Sequence, residues 1–515
     1  MKRKNIFLSL LIIFISLFVF GCIPSDDNLS KEQIEKQVNE AFNEFDSKDF
    51  TFTKSVGNNN GVTKITLLSI NDFHGALEET EGEFGAARVG GFIIDQYNKN
   101  PNGTIILSAG DMFQGTGVSN YRYGRDVVTF MNAIGFDAMA IGNHEFDWGL
   151  DKVLNYVDGV EQNGEANFPF LACNIVYKNS KEAVENFDPY TIINKNGVKV
   201  GIIGFIGYGL EYSIATSMIA DYEFLNPVPI VKEHAKYLRT VEKCDLVIAL
   251  GHDDNDSCNA SLALFEGDYR IDAIFNGHNH LTKTEWLDGK DGRRVPVLQG
   301  GSSGEAISEI SFELKNGKWQ VVTAYYHKMD NASKNSEIES FVNSLTEVTA
   351  PLFQRVLTYA GEDIRRYPAM DWCVDTLRNY AQVDVAFINA GGIRNAGFPI
   401  SSGEAVTVSH VYKIMPFDNT VKTCELSGSV LRSLLLKGSL VYSTNVIVNG
   451  QNVTISGNNI VSSKMYKVAA VDYVFDKDNY PFINGDNIQF TGKLFRDVLI
   501  EALETIGPKG KWTVE

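Results

Sequence analysis

The 515-residue chain is poor in cysteine, lacks an excess of positive charge, and contains no apolar run of the ~20 residues that span a bilayer. Its six cysteines show no CxxC spacing, which argues against a disulfide framework and against a thiolate metal site. With 46 Lys and Arg against 64 Asp and Glu, the formal net charge is −18. Because phosphate backbones are bound by clustered cations, a nucleic-acid polymer is not the expected partner. No repeat, low-complexity tract or long charge block is present.

Residues 1–22 have the pattern of a targeting segment. A basic start, MKRK, precedes an apolar run over 6–20 that is shorter than the ~20 residues needed to span a bilayer. Gly21 and Cys22 follow at once, and VFGC resembles the lipobox of bacterial lipoproteins. The resemblance implies a signal peptide over 1–21, a lipid anchor at Cys22, and an extracytoplasmic, membrane-anchored protein at the cell surface or in the periplasm. Ordinary cleavage near Gly21 is the alternative.

The remaining chain divides into two α/β units, as its length suggests for ~100–200 residues per domain. Residues 22–61 are predicted to be a tether containing an amphipathic helix with Ile34, Val38 and Phe42 on one face, either a spacer or, less favoured, a partner-binding helix. Apolar strands alternate with helices over 62–330. A linker helix interrupted by Pro351 is predicted over 331–362, and a second α/β unit over 363–515. Cys258 is expected to be a free thiol.

Polar side chains are concentrated just after the apolar strands of the first unit. Such clusters at strand ends are where open α/β sheets form their sites. AMAIG at 138–142 is followed by Asn143, His144, Glu145 and Asp147. His144 is one of five histidines, out of eight in the chain, that come just after an apolar strand. The other strand-end groups are Asp72, His74, Asp111, His252, His278 and His280.

These imidazole, carboxylate and amide groups predict a metal site. The mixture suits Zn, Mn, Fe or Co better than Mg or Ca, which prefer oxygen ligands alone. Seven of these groups are candidate ligands: Asp72, His74, Asp111, Asn143, His252, His278 and His280. Seven are too many for one tetrahedral ion, but with one bridging carboxylate they fit two ions of the kind that promote phosphoryl transfer. Taken singly, each of these side chains is more simply explained as a loop or capping residue. Two metal ions would also supply positive charge for an anionic substrate on an acidic protein.

The ordered motifs DFH (72–74), GD (110–111), GNHE (142–145), GH (251–252) and GHNH (277–280) resemble the signature of the calcineurin-like metallophosphoesterases. This resemblance implies a four-layer αββα domain. It also implies that Asp72, His74, Asp111 and His280 hold one divalent ion, and that Asp111 bridges to a second ion held by Asn143, His252 and His278. His280 stands where the nucleotidase branch often has an amide.

His144 and Asp147 are three residues apart and form a candidate pair. A carboxylate hydrogen-bonded to an imidazole orients it and raises its affinity for a proton, so the pair can stabilise or protonate phosphoryl oxygens. In the metallophosphoesterases this pair is the catalytic dyad. The alternative is that Asp147 only caps the helix that follows.

The second unit offers candidate substrate-binding groups. NAGGIR at 389–394 follows an apolar strand, while MPFDN at 415–419 and DNYPFINGD at 478–486 place aromatic side chains on loops. Two aromatic faces suit a planar base, although loop aromatics more often serve packing. The arrangement resembles the C-terminal domain of the 5′-nucleotidase and UDP-sugar hydrolase family. That resemblance implies phosphate or nucleoside contacts from Arg365 or its neighbour Arg366, Asn389 and Arg394, a base between Phe417 and Tyr480, and ribose binding by Asp486.

The combined resemblance predicts a dimetal phosphohydrolase that releases phosphate from nucleoside 5′-monophosphates, with diphosphates or UDP-sugars as further substrates, for extracytoplasmic nucleotide salvage. The expected partners are the nucleotide and the membrane, with no obligate protein partner. Two alternatives stay open. One is a 2′,3′-cyclic-nucleotide phosphodiesterase with 3′-nucleotidase activity on the same fold, and the other is a surface lipoprotein that binds nucleotides or a host partner without turnover.

Overall fold

A computed structural model describes residues 30–57, 63–80 and 82–514. The predicted signal peptide and Cys22 lie outside these residues. The chain forms two α/β domains, as predicted. Its helices, numbered in chain order, are α1 Lys31–Asp46, α2 Gly85–Lys99, α3 Gly117–Tyr121, α4 Arg125–Ile134, α5 Leu150–Leu154, α6 Pro227–Thr240, α7 Asp256–Ala263, α8 Ser336–Phe353, α9 Arg366–Ala381, α10 Val408–Ile414, α11 Gly428–Lys437, α12 Asp472–Phe475 and α13 Phe495–Ile506.

The strands are short and mostly buried in the N-terminal domain. In chain order they are β1 Lys64–Ile70, β2 Glu79–Thr80, β3 Glu83–Phe84, β4 Thr104–Ser108, β5 Ala138–Ala140, β6 Phe170–Leu171, β7 Ile175–Tyr177, β8 Tyr190–Lys195, β9 Val198–Ile206, β10 Tyr222–Phe224, β11 Leu246–His252, β12 Ala273–Phe275, β13 Thr282–Asp288, β14 Arg294–Gly300, β15 Ala306–Lys315, β16 Lys318–Lys328, β17 Val356–Ala360, β18 Val385–Ile388, β19 Ala405–Thr407, β20 Thr420–Ser427, β21 Val441–Tyr442, β22 Val446–Asn449, β23 Asn452–Ile455, β24 Asn458–Asn459, β25 Met465–Val471, β26 Asp486–Leu494 and β27 Lys511–Trp512.

Two six-stranded sheets form the centre of the N-terminal domain. Their strand orders are β16-β15-β1-β4-β5-β6 and β13-β14-β12-β11-β9-β8. One face of each sheet contributes to a shared apolar layer that includes Leu67 and Leu107 from the first sheet and Ile202 and Leu250 from the second. The other face of the second sheet packs against α6 and α7, and that of the first against α2 and α4. The predicted four-layer αββα arrangement is therefore confirmed, and apolar runs buried on both faces explain why its strands lack alternation.

Helix α1 is packed onto the catalytic domain. It begins with a capping box between Ser30 and Gln33, and its apolar stripe buries Val38, Phe42 and Phe45. The Phe45 and Phe341 rings lie 5.8 Å apart, which joins α1 to α8. The segment after α1 is also fixed, because the Thr53 main-chain N–H and hydroxyl both donate to the Glu337 carboxylate at 2.7 Å. The helical part of the predicted tether is thus packed against the catalytic domain and α8.

The segment between the domains differs from the predicted linker helix over 331–362. Helix α8 covers Ser336–Phe353 and continues through Pro351, which lies near its end. Residues 356–360 are not helical, because β17 pairs with β19 and β27 in a sheet of the C-terminal domain. These pairings are long-range, so local periodicity could not indicate them.

The C-terminal domain contains a five-stranded sheet of order β21-β18-β25-β20-β26. Strand β18, with residues Val385–Ile388 all buried, ends just before Asn389 and the glycines that follow. The core is continuous with that of the N-terminal domain through contacts such as the Phe353 and Tyr412 rings, 5.1 Å apart. All five described cysteines are free, which confirms the prediction for Cys258. Among the described residues, no helix is both long and apolar enough to cross a membrane.

Candidate dimetal active site

The predicted metal-binding residues converge where strands from the two central sheets end. Strands β1, β4 and β5 are parallel neighbours, and so are β11 and β12. Parallel strands present their carboxyl ends at one edge, so the loops after them meet in space. The groups that each sheet contributes were separate motifs in the sequence, and the fold gathers them into one site.

The backbone at the site is unusually rich in left-handed conformations. Five of the predicted ligand residues have positive φ, namely Asp72 (49°), His74 (52°), Asp111 (54°), His278 (90°) and His280 (61°). Non-glycine residues in this region cost free energy, of order 1–3 kcal/mol each where the conformation is sparsely populated. Such strain is found where surrounding structure fixes side chains for function, which matches a ligand cluster.

A first triad consists of Asp72, His74 and His280, whose potential ligand atoms lie within 4.8 Å of one another. The Nε2 atoms of the two histidines are 3.0 Å apart. His74 Nδ1 faces the Gln114 carbonyl at 2.9 Å, which leaves Nε2 as the metal-facing atom. Asn71 donates to Asp72 Oδ2 at 2.6 Å and so orients that carboxylate.

A second triad consists of Asp111, His252 and His278. Asn143 lies between them, with Oδ1 at 3.1 Å from His252 Nε2 and 2.9 Å from His278 Nδ1. His252 Nε2 is also 3.1 Å from Asp111 Oδ2, and its Nδ1 faces the Ala109 carbonyl at 2.8 Å. The groups predicted to hold a second ion therefore surround one point.

The donor set fits two divalent cations. Asp111 Oδ2 is buried, and its close neighbour at 3.1 Å is the His252 ring nitrogen, itself a potential ligand atom, as expected for two groups that share an ion. Burial lowers the pKa of His74 well below its usual range, and burial together with Arg394 lowers that of His280 to about 4. Both imidazoles are therefore neutral at pH 7, which is the form that binds metals. Burial also raises the pKa of Asp72 to about 7, a cost that a bound cation would offset.

Glycines allow the loops to approach this closely. A Cβ on Gly142 would lie 2.2 Å from Asp111 Oδ1, and a Cβ on Gly110, where φ is 89°, would lie 2.8 Å from the Gly142 nitrogen. Side chains at these two positions would displace the carboxylate that faces both triads.

His144 and Asp147 form the predicted pair. His144 Nδ1 lies 2.7 Å from Asp147 Oδ2, and its Nε2 points toward Asp111 Oδ2 at 4.0 Å. Burial lowers the pKa of His144, but the Asp147 and Asp111 carboxylates outweigh it and raise the pKa overall. Asp147 follows a 3₁₀ turn over His144–Phe146, and the helix after it begins only at Leu150, so the contact with His144 accounts for its carboxylate better than capping does.

The C-terminal domain closes the site from the other side. A cavity of about 310 Å³ between the domains is lined by His144, Asp147 and His278 on one wall and by Asn389, Arg394 and Phe417 on the other. The Phe417 ring stacks on His144 at a centroid distance of 5.8 Å and an angle of 26°. Arg394 is half-buried beside Phe417, with its guanidinium carbon 5.7 Å from the ring centre. A cation and an aromatic ring thus face the metal-binding residues.

The other predicted substrate-binding residues are placed differently. Within the described part of the chain, Arg365, Tyr480 and Asp486 lie outside the lining of this cavity and of a neighbouring one of about 560 Å³. Arg365 precedes α9 and is exposed, whereas Arg366 lines the larger cavity and donates to the Ile393 carbonyl at 2.7 Å. Tyr480 packs 6.2 Å from Phe482. Their roles stay predictions.

Residues 65–281 match the family profile of calcineurin-like phosphoesterases, and residues 345–485 match that of the 5′-nucleotidase C-terminal domain. The chain therefore combines a calcineurin-like metallophosphoesterase domain with a 5′-nucleotidase C-terminal domain. It is 26% identical over 422 residues to a snake venom 5′-nucleotidase of Gloydius brevicauda, with 72% of this chain and 69% of that protein covered. It is 25% identical over 516 residues to protein UshA of Yersinia enterocolitica, with 86% and 91% covered.

Solved structures show the same fold. A 5′-nucleotidase precursor from Thermus thermophilus matches with a TM-score of 0.69 at 20% identity, covering 86% of this chain and 97% of that one. The likeness extends over both domains and shows a shared fold.

Several residues that shape the site had no predicted role. Glu145 is fully buried and accepts hydrogen bonds from the main-chain N–H groups of Asp111, Met112 and Gly142 at 2.7–2.9 Å. It therefore fixes two ligand loops together. The sequence did show Glu145 among the strand-end polar groups, and its charge beside apolar strands was the available signal. Asp472 and Tyr473 line the cavity as well, and no motif marked them.

Proposed function

We propose that the protein hydrolyses nucleoside 5′-monophosphates to nucleoside and phosphate. The observation that carries the proposal is the interdomain cavity, in which one histidine of each metal triad, His280 and His278, and the His144–Asp147 pair lie across from groups of a 5′-nucleotidase C-terminal domain, namely Arg394, Asn389 and Phe417. A phosphate at the metal-binding residues would leave its nucleoside directed toward the aromatic and amide groups of the second domain.

Two divalent ions held by the triads would supply Lewis acidity at the phosphoryl oxygens and activate a water molecule for attack. Within the protein, Asp147 orients His144 through Nδ1 and favours its protonated form. His144 Nε2 can then donate a hydrogen bond to a phosphoryl oxygen or a proton to the leaving oxygen. Arg394, half-buried in the same cavity as His278 and His280, can bind the same phosphate through its guanidinium.

The cellular setting is part of the proposal. A basic start, an apolar run and Cys22 support export and lipid anchoring outside the cytoplasm. Nucleotides are charged and do not cross membranes readily, so an anchored enzyme of this kind would release nucleosides for salvage. Diphosphates and UDP-sugars are included as further substrates, because the second cavity is lined by Arg366 and Arg394, whose guanidinium groups can bind a further phosphate.

The test is phosphate release by Mn²⁺-loaded protein lacking residues 1–22 from 5′-AMP, 3′-AMP, 2′,3′-cyclic AMP, ADP and UDP-glucose. We expect 5′-AMP to be hydrolysed and His144→Ala to lower its kcat by about 10²–10⁴-fold. His327→Ala is the matched control, because His327 is paired with Glu309 at 2.9 Å and lies outside the site. Its activity should equal that of the wild type.

Two other outcomes would each indicate a different function. Release from only the cyclic or 3′ substrates would replace the proposal with a cyclic phosphodiesterase and 3′-nucleotidase. No release from any substrate, combined with nucleotide binding that a chelator leaves unchanged, would indicate a non-catalytic binding protein.

A further inference from the structure

Helix α12 and the loop that carries Phe417 form one unit. The Asp472 carboxylate at the start of α12 accepts from Asn419 Nδ2 at 2.9 Å, and from the Thr420 main-chain N–H and hydroxyl at 3.0 and 2.7 Å. On the far side, Arg496 donates to the Pro416 carbonyl at 2.9 Å. The loop therefore moves with α12 and with the body of the C-terminal domain.

This unit also binds the catalytic domain across the cavity. Lys477, just after α12, donates from Nζ to the main-chain carbonyls of Tyr212 and Ile214 at 2.7 and 2.8 Å. The Tyr473 hydroxyl donates to the same Tyr212 carbonyl at 3.3 Å. We call these three hydrogen bonds the α12 contact. They reach the 212–218 loop, whose residues Ser213, Ala215 and Met218 line the cavity opposite Phe417.

The chemistry of the α12 contact is unusual for a lysine. Within the described ranges, Lys477 forms no ion pair with a carboxylate, and its charge is met by two carbonyls and by the Tyr473 ring, 4.7 Å away. Burial of the ammonium group lowers the pKa of Lys477. Its two main-chain acceptors belong to the other domain, so Lys477 joins the two domains beside the cavity.

We propose that Tyr473 and Lys477 are positioning residues for the phosphohydrolase reaction. By binding the Tyr212 and Ile214 carbonyls they keep the Phe417 loop aligned with His144. The inference rests on the proposed function. Two other interdomain contacts lie elsewhere: Lys413 donates to Glu83 and Thr80 at 2.9 and 2.6 Å beside the neighbouring cavity, and Asn120 Nδ2 donates to the Pro416 carbonyl at 2.8 Å. The α12 contact instead reaches the 212–218 loop.

The test compares Lys477→Met, Lys477→Arg and Tyr473→Phe with Lys464→Met. Lys464 is the matched control, because it lies 4.6 Å from the Tyr466 ring in the same domain but is exposed. For Lys477→Met, kcat/KM with 5′-AMP should fall about 10–100-fold, as misplacement by an ångström can cause. Hydrolysis of p-nitrophenyl phosphate, which needs no alignment with Phe417, should stay within about threefold of wild type. Lys477→Arg should recover most of the loss.

Amide hydrogen exchange supplies a readout independent of activity. Peptides covering 208–218 should exchange faster in Lys477→Met than in wild type or Lys464→Met, while peptides from β11 stay unchanged. Equal losses with both substrates, no rescue by arginine, or unchanged exchange would overturn the inference. If wild-type protein hydrolyses p-nitrophenyl phosphate but not 5′-AMP, the proposed function fails and this role with it. Faster exchange in Lys477→Met would then still establish the contact itself.

Discussion

At the scale of single residues, charge inside the site is balanced by specific partners. Glu145 shows this most clearly, since its carboxylate is fully buried and yet accepts three main-chain hydrogen bonds. Burial, and then the nearby Asp111 carboxylate, raise the pKa of Glu145 to about 7. Burying the Glu145 carboxylate beside Asp111 is electrostatically unfavourable, but its three hydrogen bonds hold the loops of Asp111 and Asn143 together.

Replacing Glu145 by Gln should destabilise the site. The amide keeps one acceptor oxygen, and its NH₂ group would face main-chain donors, so we expect a loss of about 2–4 kcal/mol in unfolding free energy. Metal affinity should fall about 10–100-fold because the ligand loops are no longer fixed. Urea unfolding and calorimetric Mn²⁺ titration measure the two effects.

Glu165→Gln is the control for that substitution. Its carboxylate accepts one main-chain hydrogen bond, from Gly159 at 3.0 Å, away from the ligand loops. It should change metal affinity little. Wild-type Mn²⁺ affinity in Glu145→Gln would contradict the assigned role.

At the scale of secondary-structure elements, α1 and α8 are linked by aromatic side chains. The Phe50 ring lies 4.8 Å from Phe341, and the Phe45 ring lies 4.9 Å from Phe50. At the other end of α8, Phe353 meets Tyr412 of the C-terminal domain. The helix that joins the two domains is thus held by a segment that precedes the catalytic domain in the chain.

Phe45→Ala tests whether this segment belongs to the folded unit. Phe45 is 2% exposed, so removing its ring should cost about 3–5 kcal/mol in unfolding free energy, measured by urea denaturation. Phe490→Ala, at a ring that is 71% exposed, should cost less than about 1 kcal/mol. Equal, small effects of both substitutions would mean that α1 contributes nothing to the stability of the fold.

At the scale of the whole molecule, the site is assembled from three sources: two sheets of one domain and a loop region of the other. Its carboxylates and strained ligand backbones disfavour the folded state until cations are bound. Metal binding should therefore stabilise the entire protein as well as activate it.

Removing divalent ions with a chelator should lower the thermal midpoint of unfolding and abolish phosphate release. Restoring Mn²⁺ or Zn²⁺ to about 100 times its dissociation constant should return roughly 2.7 kcal/mol. Ca²⁺ should restore less, because the imidazole-rich donor set does not suit it. Differential scanning calorimetry measures the shift.

Asp111→Asn and His327→Asn separate site binding from general ion effects. The metal-dependent shift should shrink in Asp111→Asn, which loses the carboxylate between the triads, and persist in His327→Asn. An undiminished shift in Asp111→Asn would place the stabilising ions elsewhere.

The sequence by itself determined the two α/β units and the candidate metal-binding residues, and its resemblance to the metallophosphoesterases predicted the four-layer first domain. Continuous apolar strands followed by Asp72, His74, Asp111, Asn143, His252, His278 and His280 are local signals, and parallel strands must bring such ends together. The His144–Asp147 pair was equally local, because three residues in a tight turn place both side chains on one side.

Only the tertiary structure decided what lies opposite those ligands. The placement of Phe417 over His144, the role of Arg366 beside the Ile393 carbonyl, and the α12 contact depend on pairings between residues hundreds of positions apart. Strand β17 replaced the end of the predicted linker helix for the same reason, since its partners β19 and β27 are distant in the chain. Sequence periodicity indicates which helix or strand a residue belongs to. These contacts depend instead on how whole helices, strands and loops pack against one another.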